Sequence, residues 1–219
     1  MTNFTHKHNH FSLQYKVILA VAGVYLLILL VVTLVSIPNR RANLMRSIQE
    51  NVEDIANNYF DNLNLLMLTK SISSRHILEE RLNTRPGIEE IRMVRGDKIN
   101  QAYNTPGLDG PRDEWDHRAL GGEQQAHVKT GPAGRSLTVL IPMTSSTNTR
   151  STNCVTCHAD TTGQVLGAVR VTYSLANDDS VFARENWTTI GLSMMLLGVG
   201  VALVGWLLRR IILAPIENF

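Results

Sequence analysis

The chain has 219 residues, 44% of them hydrophobic, and a formal net charge of +2. That length accommodates one ordinary soluble domain together with apolar segments. Between Pro38 and Trp187 acids and bases nearly balance, so there is no basic stripe or acidic tail and no nucleic-acid partner is expected.

Residues 1–16 are polar, with His6, His8 and His10 among asparagines, and read as a tail rather than a metal site. From Val17 to Val35 no charged residue occurs. At 1.5 Å rise per residue such a run comes close to crossing ~30 Å of hydrocarbon, so residues 17–37 are expected to form a first transmembrane helix. Ser36-Ile37-Pro38 offers no small-x-small cleavage site, which favours an uncleaved anchor.

Residues 38–187 are expected to form one domain between two spans. From Pro38 to about Leu82 the apolar positions Leu44, Ile48, Val52, Ile55, Tyr59, Leu63 and Leu66 recur every three or four residues, the stripe of an amphipathic helix. The stripe broadens at Leu65 to Leu68, as burial on more than one face would require. So long a helix needs a partner. That partner is its own domain, a second copy in a parallel homodimer, or both along different parts. Arg85-Pro86-Gly87 stops it. Strands are then expected at Glu89–Arg95, Lys98–Tyr103 after a Gly96-Asp97 turn, Gln124–Lys129, Arg135–Met143 and Val165–Tyr173, and a short helix at Asp113–Leu120. Five strands behind a long helix give an α+β domain on a single antiparallel sheet. Ser174 is placed to cap a last helix. It runs into a second apolar stretch at residues 188–208, with Trp187 and Trp206 near its ends and Arg209 and Arg210 after it.

The only two cysteines lie in Cys154-Val155-Thr156-Cys157-His158. C-x-x-C-H is the spacing of c-type haem attachment. Each thiol can form a thioether to the porphyrin, and the adjacent imidazole can reach the iron. A disulfide, a thioredoxin-like pair and half of a zinc site are the plainer alternatives. Zinc would need further ligands, and a redox pair belongs between a strand and a helix rather than in a Ser/Thr/Asn-rich loop. One covalent haem c per chain is therefore expected, with His158 as the proximal ligand. For the other side Met67 leads, on the broadened part of the long helix, with an open or water-occupied sixth site as the main alternative, ahead of His76, Met93, His117, His127 and Met143. Arg92, Arg95, Arg135 and Arg170 are candidates to pair with haem propionates. With the globular part so small, the haem is expected to supply much of the core.

Covalent attachment takes place outside the bacterial cytoplasm. It sets the topology that loop charge leaves open, since Arg40, Arg41 and Arg46 oppose Lys7 and Lys16. The expectation is a two-pass inner-membrane protein with both termini cytoplasmic and the haem domain periplasmic. No nucleophile–base pair or paired carboxylates are evident, so an enzyme is not expected.

Beyond the haem motif, Leu66-Met67-Leu68-Thr69, Leu82 to Arg95 with Ile91-Arg92-Met93-Val94-Arg95-Gly96, Asp113-Glu114-Trp115 and Gly167-Ala168-Val169-Arg170-Val171 occur in an informative order. With that motif they resemble the periplasmic c-type haem sensor domains of bacterial chemoreceptors and sensor kinases. The likeness spans most of residues 38–187. It implies a PAS-like fold, attachment at Cys154 and Cys157, His158 as proximal ligand, and Met67 as the methionine that ligates in some members, in some cases across a dimer. Where that family has glycine after Met-Leu-Thr, this chain has Lys70. Arg209 to Ile216 is similar to the opening of a HAMP linker, so residues 209–219 would begin a cytoplasmic connector. Two functions follow as expectations: sensing of redox state or of a diatomic gas (NO, CO or O2), or single-electron transfer with a redox partner.

Overall fold

The computed structural model describes residues 13–105, 109–158, 161–208 and 210. The histidines of the N-terminal tail, the turn at Pro106-Gly107, and the linker-like residues Arg209 and 211–219 lie outside them. The chain divides into two units, Asn43–Ser180 and Met1–Ala42 with Val181–Phe219.

The second unit holds the apolar parts of two helices, α1 (Leu13–Leu68) and α5 (Ala176–Leu208). Both are long and apolar enough to cross a membrane. Leu19, Leu27, Leu34, Leu192 and Met195 each expose more than half their surface. Exposed apolar surface costs about 25 cal/mol per Å2 in water, a cost that hydrocarbon removes. A Cβ at Gly205 would meet Ile18 at 3.6 Å, so the two helices approach closely there. Two long apolar helices thus flank an intervening domain, an arrangement consistent with two membrane spans.

That domain is α+β, with an open antiparallel sheet in the order β1-β4-β3-β2. Its strands are β1 (Ile88–Arg95), β2 (Gln125–Gly131), β3 (Gly134–Thr144) and β4 (Val165–Ser174). Strand alternation sends Ile91, Val139, Val169 and Val171 to one face. There they bury Val52, Ala56, Tyr59, Phe60 and Leu63 of α1, all 5% exposed or less. The three-and-four spacing read from the sequence is therefore the contact stripe. The short helix α2 (Arg75–Asn83) joins the same face through Leu82, and Tyr59 Oη donates to Glu79 at 2.6 Å to tie the two helices. The opposite face carries Val94, Leu140 and Ala168 under Ala119 of α4 (Glu114–Leu120). Asp113 caps α4, accepting from Asp116 N–H at 2.9 Å.

Four expectations are corrected. Lys98–Tyr103 is not a fifth strand; Asp97–Ala102 forms a helix, α3, so the sheet has four strands. Gly96 N–H makes the last link to Leu166 O at 3.0 Å, and β4 begins at Val165, which leaves no ladder beyond. The long helix stops at Leu68 rather than Leu82. Lys70 N–H bonds Met67 O at 3.1 Å and Ser71 N–H bonds Leu66 O at 2.7 Å, with Lys70 left-handed at φ +56°, a Schellman ending. Leu65 and Leu68 are 59% and 61% exposed rather than buried, because they lie opposite the Val52–Leu63 stripe. Ser174 ends β4, with its N–H bonded to Gly87 O, and α5 begins two residues later.

Candidate functional site

The loop between β3 and β4, the two central strands, carries both cysteines. Its neck is closed by Ser145 N–H to Gln164 O and Gly163 N–H to Ser145 O, both 2.8 Å. Ser145 is fully buried, and the Thr161 hydroxyl bridges its Oγ and His158 O. Within the loop Cys154 N–H donates to Ser146 O at 3.0 Å. A 3-10 turn follows at Cys154–Thr156. Cys157 N–H and His158 N–H then both donate to Cys154 O, at 3.3 and 2.9 Å. The backbone bonds thus hold Cys154, Cys157 and His158 within a single turn of chain.

Both cysteines are free thiols, Cys154 half-buried and Cys157 exposed. His158 is half-buried, and burial pushes its pKa below the ordinary histidine value. The neutral ring keeps a nitrogen lone pair at neutral pH. The ring of Tyr103, just past α3, stands edge-on to it with centroids 6.1 Å apart.

Further elements converge on this end of the sheet. Arg95 closes β1 opposite Gly167, where a Cβ would stand 2.6 Å from Val94 O, so only glycine lets the strands approach. Arg95 N–H donates to Asp109 O at 2.8 Å, and Asp109 pairs with Arg75 at the start of α2. Lys98 of α3 donates to Gln164 at 2.7 Å, and Arg150 of the loop pairs with Asp61 of α1. Leu65, Met67 and Leu68 are exposed in the last turn of α1.

The four arginines named as anion partners differ. By strand alternation Arg92 faces α4, where it pairs with Asp116 and Glu90. Arg170 joins it, holding Asp113 at 2.7 Å and Asp116 at 2.9 Å, while Arg135 pairs with Asp179. Burial alone would raise the Asp116 pKa. The Arg112 N–H, Arg170 and Arg92 overcome it and hold the carboxyl below the usual range. Arg95 faces the α1 side, and among the described residues its guanidinium has no hydrogen-bond or ion-pair partner. Burial, then the neighbouring Arg75, lowers its pKa.

Of the candidates for the second axial position, Met93 and Met143 pack in the α1-side core. His127 stacks on Trp115 at 4.2 Å on β2, the strand farthest from β1. His76 Nδ1 lies 2.9 Å from Ser73 O, and His117 is exposed on α4. Met67, 38% exposed, lies on the last turn of α1, about two turns past Asp61, with no contact to His158 among the described residues. Those residues also hold no cluster of three or more His, Cys, Asp or Glu side chains fit for a metal ion.

Sequence reasoning missed Tyr103, assigned to a strand, and the Asp61–Arg150 pair. Arg150 did carry a signal, as the single charge within Thr144–Asn153. Comparison with protein families and with curated proteins gives no match for this chain.

Proposed function

We propose that the domain is a membrane-anchored, periplasmic haem-c sensor of redox state or of a diatomic gas, with both termini in the cytoplasm and a parallel homodimer as its working form. The supporting observation is Cys154, Cys157 and His158 held within one backbone turn with both thiols free. Arg95, which has no hydrogen-bond or ion-pair partner among the described residues, closes β1 opposite Gly167, and α1 reaches the loop through Asp61. The residues present fit the group. Haem, when bound, supplies an iron centre that exchanges one electron and can hold a diatomic ligand.

Cys154 and Cys157 anchor through their sulfurs, and the neutral His158 offers its nitrogen lone pair. Arg95 offers an uncommitted cation to a propionate. Leu65 and Leu68 exclude water, as apolar side chains gain by doing. Met67 carries a thioether on the last turn of α1, so its gain or loss as a ligand is tied to the position of that helix. This is the two-state element that transmission needs. The exposure of Cys157 favours a second reading, a monohaem electron carrier whose cofactor edge is open to a partner.

Absorption spectra of ferric and ferrous protein, with and without CO, for wild type and Met67→Ala separate these readings. A sensor binds CO in the ferrous form, and Met67→Ala removes the methionine-to-iron charge-transfer band. A carrier keeps both ligands in the presence of CO. A spectrum untouched by Met67→Ala rejects Met67 as ligand.

A further inference from the structure

Thr149 and Thr152 exchange both backbone hydrogen bonds, at 2.8 and 2.9 Å. Arg150 and Ser151 are thus the two-residue tip of a small hairpin, with φ of +48° and +63°. Two consecutive left-handed residues make a type I′ turn, which selects Asn-Gly because a Cβ is unfavourable there. Arginine and serine are poor choices for the tip alone. The Arg150 side chain explains the choice. Its Nε donates to Asp61 Oδ1 and its Nη2 to Asp61 Oδ2, both at 2.6 Å, a bidentate fork across 89 residues of sequence. Both partners are about two-fifths exposed. A surface pair is in general only weakly stabilising, whereas the tip stores backbone strain at two successive residues. Stability therefore does not account for it.

Position does. Arg150 stands four residues before Cys154, whose N–H is fixed to Ser146 O within the same loop. Asp61 stands on the exposed side of α1, with Leu65 and Leu68 following at i+4 and i+7. We infer that the Asp61–Arg150 pair is a latch that positions the Cys154–His158 loop against α1 and passes displacement between them. The latch is made of protein atoms alone and stands independently of any cofactor; its use in signalling rests on the haem reading.

The test is hydrogen–deuterium exchange on the full chain in lipid nanodiscs. It compares wild type, Asp61→Asn, Arg150→Gly and the charge-reversed pair Asp61→Arg with Arg150→Asp. Asp61→Asn is read at loop residues 146–158 and Arg150→Gly at α1 residues 58–68. Each is expected to speed exchange in the remote segment about two- to fivefold, the range set by an exposed pair, and the reversed pair to return both toward wild type. Changes confined to the mutated segment, or no recovery on reversal, overturn the latch. Haem content read from the absorbance of the same samples is a separate outcome: its absence with the exchange pattern intact rejects the haem reading and leaves the latch standing.

Discussion

Lys70 shows how a single backbone angle can be tested. It occupies the left-handed position of the Schellman ending of α1, at φ +56°, where glycine has no Cβ to clash. Lys70→Gly is expected to stabilise the domain by about 0.5–1 kcal/mol, read as a higher denaturation midpoint of the detergent-solubilised protein. Asp116 makes the opposite case. It is fully buried between Arg92 and Arg170, and Asp116→Asn leaves two guanidinium groups with a weakened partner. The loss is expected to be about 3–5 kcal/mol in the same measurement. The pH dependence has a definite sign. Burial opposes it, yet the hydrogen bonds hold the folded carboxyls of Asp113 and Asp116 below their usual range. Their stabilisation is complete above the unfolded carboxylate pKa of about 4 and is lost as pH falls through the lower folded values. Asp116→Asn should flatten the acid limb of a stability–pH curve. An acid limb as steep as that of wild type would contradict the network.

Helix and strand identities were legible where one face is buried over several turns. The α1 stripe through Val52, Tyr59 and Leu63 and the alternation of β3 and β4 both appear in the sequence at the spacing the structure uses. What failed was local. Ile99, Ala102 and Tyr103 already sit at helical spacing, but in six residues that pattern cannot be told from a strand. Only the start of β4 at Val165, distant in sequence, removes the partner a strand would need. The end of α1 was hidden because Lys70 stands in a position that usually announces itself as glycine. The candidate site divides the same way. Cys154, Cys157 and His158 are contiguous and could be read, whereas Tyr103 and Asp61 reach the loop only through the fold. Arg92 and Arg95 looked equivalent on one strand until alternation sent them to opposite faces. On that basis Arg95→Gln should lower the haem reduction potential by about 20–40 mV, the screened effect of one nearby cation. Arg92→Gln should act on stability instead. A potential unmoved by Arg95→Gln would remove it from the propionate role.

Two apolar helices bracket an α+β domain whose loop carries a pair of free thiols and a histidine, an arrangement consistent with a membrane-anchored module. Each part has a physical reason. The sheet fixes the loop neck, the latch reaches α1, and α1 contains one of the two apolar stretches. The whole reading depends on a porphyrin joined to Cys154 and Cys157. The chain should therefore be exported in the presence of a c-type maturation system, denatured, and extracted with acidified organic solvent before staining for haem. The reading requires haem to stay with the polypeptide and the stain to vanish in Cys154→Ala with Cys157→Ala. Haem that leaves with the solvent, or a wild-type chain that never stains, contradicts it.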